Sequence, residues 1–348
     1  MTNRRPTRRR HTGRRQAGPA VTLLAVALAL GPVAASTSTP AADLGTPIPI
    51  KTTPAPVNET SPAADGRWFL WARGHANLGP DSLYLAQRGD SPRIRISASG
   101  TTVGEGGGIS GRTVVYDQIS EDARRAGLYL VDLRTGRRVR LPAAVNSRHV
   151  ENGPSVSGRF LVFQRSKGSG SERVRRVVLY NRVTGGARGL ATLRKSQDDV
   201  VMPQFDVGQV NGGHVVWARW RVRRNPATGA TVSHSSVFRH DISTGTLLKV
   251  PRPAGAEDSH PAVSADGTMY FRRTTQGPDG SVVQVLRLPL GGTPEVVLEP
   301  EFSHDATDLF VDDRVGHRHH LYYVHAEYFP EDTSEYDVYK VVLSAPAS

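Results

Sequence analysis

A glycine turn that recurs along the chain constrains the fold more than any other feature. The clearest copy runs from Asp258 to Arg272 and turns at Ala265–Gly267. An Asp-Gly pair between apolar or aromatic residues favours a β-hairpin, because glycine adopts a positive φ readily. The glycines of five copies stand at positions 66, 111, 158, 212 and 267, which are 45, 47, 54 and 55 residues apart. This spacing is too long for one hairpin and matches a four-stranded propeller blade of about 40–50 residues.

A sixth, degenerate copy at His319–His325 completes the set, and most copies are followed by a second turn such as Asp132–Gly136. Because 35 Gly and 24 Pro accompany little helical periodicity, the chain is predicted to be all-β. The prediction is a six-bladed propeller of four-stranded antiparallel blades over residues 58–348. The second strand of each blade is expected to bury one aromatic ring between blades: Trp71, Tyr116, Phe163, Trp217 and Phe271.

Residues 1–35 have the pattern of a secretory signal peptide. Seven arginines precede the apolar run Ala20–Leu30, and small residues around Ala35 offer a cleavage site. An uncleaved membrane anchor is the alternative, but the apolar run is short for a spanning helix of about 20 residues. We expect a secreted, extracellular protein without membrane attachment after cleavage, with the cell wall as a further location.

Charge and cysteine content exclude several classes of function. The formal net charge is +12, but residues 1–35 contain seven basic residues and no acidic one, so the remaining balance is +5. A nucleic-acid partner is therefore not expected. With no cysteine, disulfides, thiol catalysis and a lipid-modified cysteine are excluded. The predicted loop Arg221–Ser233 carries three arginines; it is either a solvated loop or a contact surface for an anionic partner.

Residues 36–57 form a Ser/Thr/Pro-rich spacer that cannot bury a core. Within it, residues 46–51 have alternate prolines, which suit only the edge of a sheet. The last blade lacks an outer strand in the sequence, and an unpaired edge is prone to aggregation. We therefore predict that Pro47–Lys51 closes the ring beside Tyr336–Leu343.

The fifth copy resembles the TolB-type propeller family, which is related to the WD-repeat proteins. The resemblance is carried by the apolar strand Met269–Phe271 together with the preceding residues Asp258, Pro261, Ser264, Asp266 and Gly267. It implies a six-bladed propeller that serves mainly as a binding platform and is sometimes fused to a hydrolase. No Gly-x-Ser-x-Gly motif is present.

Histidines near the C-terminus are the candidate metal ligands. His317 and His319 would share one face of a strand, and His304 could approach as a third ligand. The alternative is a polar turn at the start of a strand. A metal-dependent polysaccharide lyase or glycosidase built on a propeller is therefore the alternative function.

Acidic residues ahead of each inner strand predict a ring of carboxylates at one mouth of the tunnel, with His260 beside it. The predicted ring contains Glu59, Glu105, Glu151, Asp199, Asp258 and Glu301. Such a ring would attract a basic peptide terminus or a divalent cation; alternatively, each carboxylate caps its own turn and stays solvated. The predicted function is a secreted, monomeric, non-catalytic binding module for a protein, peptide or cell-wall glycan, with no cofactor required.

Overall fold

The computed structural model describes residues 46–51, 57–75, 79–87, 93–98, 102–119, 126–277, 280–300, 304–313, 318–328 and 334–344. These residues form six four-stranded antiparallel sheets, arranged as the blades of a propeller around a central tunnel. In this part of the chain, the helical structure is a single 3-10 turn at Gly170–Glu172. The predicted fold class is confirmed.

The strands follow the chain blade by blade, from the tunnel outward. The chain enters with β1 (Ile48–Lys51), and blade one contains β2 (Val57–Asp65), β3 (Trp68–His75), β4 (Gly79–Gln87) and β5 (Ile94–Arg95). Blade two contains β6 (Thr102–Ser110), β7 (Thr113–Ile119), β8 (Ala126–Asp132) and β9 (Arg138–Arg140). Blade three contains β10 (Val150–Ser157), β11 (Phe160–Lys167), β12 (Val174–Asn181) and β13 (Ala187–Arg194).

The second half of the ring repeats this order. Blade four contains β14 (Gln204–Asn211), β15 (His214–Arg224), β16 (Thr231–Asp241) and β17 (Leu247–Lys249). Blade five contains β18 (Glu257–Val263), β19 (Met269–Gly277), β20 (Gly280–Leu288) and β21 (Glu295–Leu298). Blade six contains β22 (His304–Asp312), β23 (Arg318–Tyr328) and β24 (Ser334–Ser344), with β1 as its outer strand.

The ring closes through β1, as the sequence predicted. Ile48 lies opposite Lys340 and Pro49 opposite Tyr339 in an antiparallel pair with β24. The prolines are tolerated there because one side of an edge strand needs no ladder hydrogen bonds. Ile50 packs into the cluster between blades six and one, so the closing strand also contributes to the core.

The core consists of layers between consecutive blades, and the predicted aromatic rings occupy them. Trp71, Tyr116, Phe163, Trp217 and Phe271 are all buried, each in a cluster with residues of a neighbouring blade. The sixth equivalent is Tyr323, which the sequence analysis did not name. Burial of each such ring is worth roughly 1.5–3 kcal/mol.

The recurrent turn glycines of blades one, two and three connect each of these blades to the one before it. The N–H of Gly66 donates to Asp312 of blade six at 2.9 Å, and the N–H of Gly158 donates to Ser110 of blade two at 3.0 Å. Gly66 has a φ of 50° and Gly158 one of 52°, a backbone conformation that favours glycine. The repeat that revealed the fold is thus also an inter-blade contact.

Every inner strand contains a β-bulge at an equivalent place. The register of the ladder shifts between Thr60 and Ala63 in β2, and between corresponding residues of β6, β10, β14, β18 and β22. A bulge leaves a residue out of the ladder and redirects it. Here residues of all six bulges line the tunnel, so the bulges position the candidate site.

Several predicted boundaries are wrong, and the bulges explain those on the inner strands. The segment around Asp258 was expected to be a loop, but β18 begins at Glu257, and Arg221, Arg223 and Arg224 lie on β15 rather than in a loop. A bulge interrupts the alternation of apolar and polar residues that marks a strand. The first half of each inner strand therefore has no clear strand pattern in the sequence.

The glycines of β6 allow close approach of neighbouring strands near the tunnel. A Cβ on Gly107 would lie 2.5 Å from the carbonyl oxygen of Val115, and one on Gly108 would lie 2.8 Å from the nitrogen of Val156. Larger residues would therefore push β6 away from β7 and β10. Within the residues that the structure describes, no helix has the length and apolar character needed to cross a membrane.

Candidate functional site

A cavity of about 370 Å³ lies in the tunnel among the six bulges, and we call it the tunnel cavity. Its described lining residues come from β2, β6, β10, β14, β18 and β22, and three of them are ionisable: Asp206, His260 and Asp308. Their side chains keep 40%, 27% and 38% of their surface accessible. The tunnel cavity therefore presents two carboxylates and an imidazole to solvent.

The backbone of the tunnel cavity is strained at three equivalent positions. Ser61, His260 and Asp308 have φ values of 51°, 47° and 47°, and they are the non-glycine residues with a positive φ in the described part of the chain. Gly106 and Gly153 take the same conformation in their own bulges. A positive φ is costly for residues other than glycine. At Ser61, His260 and Asp308 the bulge therefore carries a side chain at a conformational cost.

Hydrogen bonds fix the orientation of this cluster. The N–H of His260 donates to Asp206 Oδ2 at 2.8 Å, and the N–H of Ser61 donates to Asp308 Oδ2 at 3.3 Å. The N–H of Asp308 points at His260 Nδ1 at 3.3 Å. The same Nδ1 lies 3.6 Å from Asp206 Oδ2 and 3.6 Å from Asp308 Oδ1. Blades one, four, five and six thus meet in one polar cluster.

Asp308 is the carboxyl whose protonation is most affected by this setting. Burial among the cavity walls raises its pKa above the ordinary value, and the nearby charge of Asp206 raises it further, while His260 opposes the change. Two carboxylates that face one cavity disfavour each other's ionisation. A positively charged group placed between them would relieve that cost.

Gln209 forms the floor of the tunnel cavity. From β14 its amide reaches across the tunnel, donating to the carbonyl of Val311 at 2.7 Å and accepting from the N–H of Val311 at 3.0 Å and of Val263 at 3.3 Å. Beyond Gln209 and Phe310 lies a recess of about 10 Å³, a volume close to that of one water molecule. The cavity is therefore closed to a peptide at this end.

Four of the six carboxylates that were predicted to ring a tunnel mouth lie within strands and not in loops ahead of them. Glu59, Glu151 and Asp258 are on β2, β10 and β18, not in loops, and they are buried. Glu105 lies on β6, but its side chain is outside the described residues, as is all of Glu301. Their role in binding a partner stays a prediction, but the placement in loops was wrong.

Each buried carboxylate of the odd-numbered blades faces an arginine of the same blade. Glu59 lies opposite Arg73, Glu151 opposite Arg165 and Asp258 opposite Arg273, with carboxylate–guanidinium distances of 3.5, 2.8 and 2.7 Å. Arg165 also lies over the ring of Phe163, and Arg273 lies over the ring of Phe271. The negative charge of each of these residues is therefore balanced by an arginine on the neighbouring strand.

Asp199 is paired differently, because it precedes β14. Its carboxylate lies 2.5 Å from Arg221 and 3.4 Å from Arg223. Burial alone would raise its pKa, but hydrogen bonds from Ser196 and the ion pair with Arg221 outweigh burial, so the pKa is lowered. Arg221 and Arg223, which were considered as a contact surface for an anionic partner, thus neutralise Asp199, which was predicted to lie at the tunnel mouth.

The candidate metal ligands are only partly described. His319 is buried on β23, where Nδ1 lies 2.6 Å from the Tyr270 hydroxyl and Nε2 lies 3.6 Å from Asp266. Burial lowers its pKa. His317 and the side chain of His304 lie outside the described residues. Among the described residues, no group of three or more His, Asp or Glu is arranged to hold a metal ion.

His260 was identified from the sequence, but Ser61, Asp206, Gln209 and Asp308 were not. A weak signal exists: Ser61-Pro62, Gly153-Pro154 and His260-Pro261 occupy equivalent bulges. No comparable pattern marks Asp206 or Asp308, because their proximity depends on the closed ring.

No protein-family model matches the chain, and no curated protein matches it. Similar solved structures include an oligogalacturonate lyase in complex with manganese, at 13% identity over 87% of this chain and 98% of that one, with a TM-score of 0.49. The β-propeller domain of the trilobed protease from Pyrococcus furiosus is 10% identical over 83% and 94%, with a TM-score of 0.48. TolB from Acinetobacter baumannii is 14% identical over 75% and 59%, with a TM-score of 0.43. These structures include enzymes as well as TolB, and the propeller fold of this chain is shown by its own six sheets.

Proposed function

We propose that this chain is a non-catalytic binding module whose ligand site is the tunnel cavity. The observation that carries the proposal is the convergence of Asp206, His260 and Asp308 in one solvent-accessible cavity, two of them on strained backbone. A concave site with a few convergent polar groups is the usual form of a ligand site. Polar groups held by backbone hydrogen bonds are suited to recognising a fixed geometry.

The partner is a protein, a peptide or a cell-wall glycan, and the module acts as a monomer outside the cell. This location rests on the signal-like pattern of residues 1–35, which lie outside the described residues. N-terminal sequencing of protein from the culture medium tests it: a mature chain that begins after Ala35 is expected, and an intact leader would contradict secretion by cleavage.

A cavity-filling substitution tests the site. Thr60 lines the tunnel cavity, whereas Thr192 is exposed on the outer strand β13. Fluorescently labelled wild type, Thr60→Trp and Thr192→Trp proteins are applied to arrays of peptides and glycans. We expect wild type and Thr192→Trp to bind the same probes, and Thr60→Trp to lose them because the indole occupies the cavity. Equal binding by all three would place the ligand site elsewhere.

A further inference from the structure

We propose that the tunnel cavity is a blind socket for a primary ammonium group of a peptide, either its α-amino end or a lysine side chain. The inference rests on the proposed binding function and names the chemistry of the ligand. It follows from the charge of the cavity, from its free acceptor atoms and from its closed floor.

The charge of the cavity favours a cation. Asp206 and Asp308 carry two negative charges into it, and neither arginine nor lysine is among its described lining residues. The contrast with Glu151 or Asp258 is direct, because those carboxylates have an arginine of their own blade. A ligand cation would supply the missing charge.

The acceptor atoms favour an ammonium ion over a transition-metal ion that binds imidazole. Each tunnel carboxylate accepts one backbone N–H, through Asp206 Oδ2 and Asp308 Oδ2, and the described residues give no further donor to either carboxylate. The Nδ1 atom of His260, which faces both carboxylates, already receives the N–H of Asp308. Its lone pair is therefore not available to a metal. A primary ammonium group brings three N–H donors, and the two carboxylates retain lone pairs to accept them.

The closed floor favours a chain end over a threaded chain. The amide of Gln209 is held at both its oxygen and its nitrogen by β22, and its oxygen also accepts from β18. A ligand must therefore enter and leave by the same opening. Because the ammonium group is terminal in both an amino end and a lysine side chain, it can reach the carboxylates from that opening while the rest of the peptide stays outside.

Three probes test the ammonium assignment: Gly-Gly-Gly-amide, acetyl-Gly-Gly-Gly-amide and acetyl-Gly-Lys-Gly-amide, titrated calorimetrically into the full chain. We expect at least one of the two amine-bearing peptides to bind about tenfold or more tightly than the acetylated triglycine, since charge-assisted hydrogen bonds to both carboxylates are lost on acetylation. Preference for the first identifies an α-amino end, and preference for the third identifies a lysine side chain. If neither binds at millimolar concentration, or if acetylation has no effect, the proposal is overturned.

The matched variants are the double substitution Asp206→Asn with Asp308→Asn and the control Asp198→Asn, whose side chain is exposed outside the tunnel. Asparagine adopts a positive φ more readily than most residues, so position 308 keeps its backbone, which circular dichroism verifies. We expect amine binding to weaken about tenfold or more in the double variant and to be unchanged in the control. Retained binding in the double variant would overturn the proposal.

The two proposals fail in different ways. If Thr60→Trp abolishes array binding while acetylation of the ligand has no effect, the cavity binds a partner but not through an ammonium group. If neither array binding nor amine binding depends on the cavity, both proposals fall together.

Discussion

Two sets of carboxylates occupy the inner strands, and they differ in how their charge is matched. Glu151 and Asp258 are fully buried between strands, and each faces an arginine directly across the ladder. Asp206 lies one ladder position beyond that of Glu151 and Asp258, opposite Ala218 and ahead of the bulge of β14, whereas Asp308 lies within the bulge of β22; both line the accessible cavity. The comparison shows that one repeat can present the same functional group either to its own framework or to a ligand, according to its place in the alternation of the strand and in the bulge.

Removal of a paired carboxylate should have the largest effect on stability. Asp258 is buried and accepts two hydrogen bonds from Arg273, at 2.7 and 2.9 Å. Asp258→Ala leaves that guanidinium without its counter-charge, and we expect the free energy of unfolding to fall by about 3–5 kcal/mol. Asp206→Ala should cost about 1 kcal/mol or less, since water replaces one hydrogen bond. Urea denaturation measures both, and similar losses would mean that the two sets do not differ.

Acidification should have a smaller effect, and it should act in opposite directions on Asp308 and on the arginine-paired Asp199, which precedes the inner strand β14. Asp308 has a raised pKa in the folded protein, where Asp206 and His260 face it, so its ionisation disfavours the fold and lowering the pH through that pKa relieves the cost. Asp199 has a lowered pKa, so the stability that it contributes is present above 3.8 and is lost as the pH falls through its folded-state value.

Thermal unfolding of single variants between pH 7 and pH 3 measures this difference. At pH 7 we expect Asp308→Asn to raise Tm by on the order of 1 °C and Asp199→Asn to lower it by more. The difference for Asp308→Asn should vanish towards pH 3, where Asp308 is protonated, whereas the difference for Asp199→Asn should begin to shrink only below 3.8, because the folded-state pKa of Asp199 is lowered. A loss of stability in Asp308→Asn at pH 7 that persists at pH 3 would contradict the role assigned to its charge.

Divalent cations should have the smallest effect. Because no group of three or more His, Asp or Glu among the described residues is arranged to hold a metal ion, we expect Mn²⁺, Ca²⁺ and EDTA to leave Tm unchanged. Metal analysis of the purified protein complements the scan. If the protein contains a stoichiometric ion and its Tm falls in EDTA, the lyase or glycosidase alternative is favoured, with His304, His317 and His319 as the metal ligands. That result would also weaken the distinction between the two carboxylate sets.

The parts of this molecule that were predictable from the sequence are those determined within one repeat. The turn glycines, the inter-blade aromatic rings and the closing strand each have a local pattern, and all were confirmed. The cavity was not predictable in this way. Asp206 and Asp308 are more than 100 residues apart, as are Gln209 and Val311, which hydrogen-bond across the tunnel. Their proximity arises only when six blades close into a ring, and no local pattern encodes it.

The closing strand also determines how the ring would respond to mechanical force. Because β1 and β24 are antiparallel, with Ile48 opposite Lys340 and Lys51 opposite Val338, the first residue of β1 and the last residues of β24 lie at the same end of the pair. A pull between the two chain ends would therefore separate the strands one pair at a time, starting at Ile48, and would not load all pairs together. Tension applied ahead of residue 48 would therefore detach β1, the outer strand of blade six, at low force. In each of the other five blades the four strands follow one another along the chain, and their pairing would be kept.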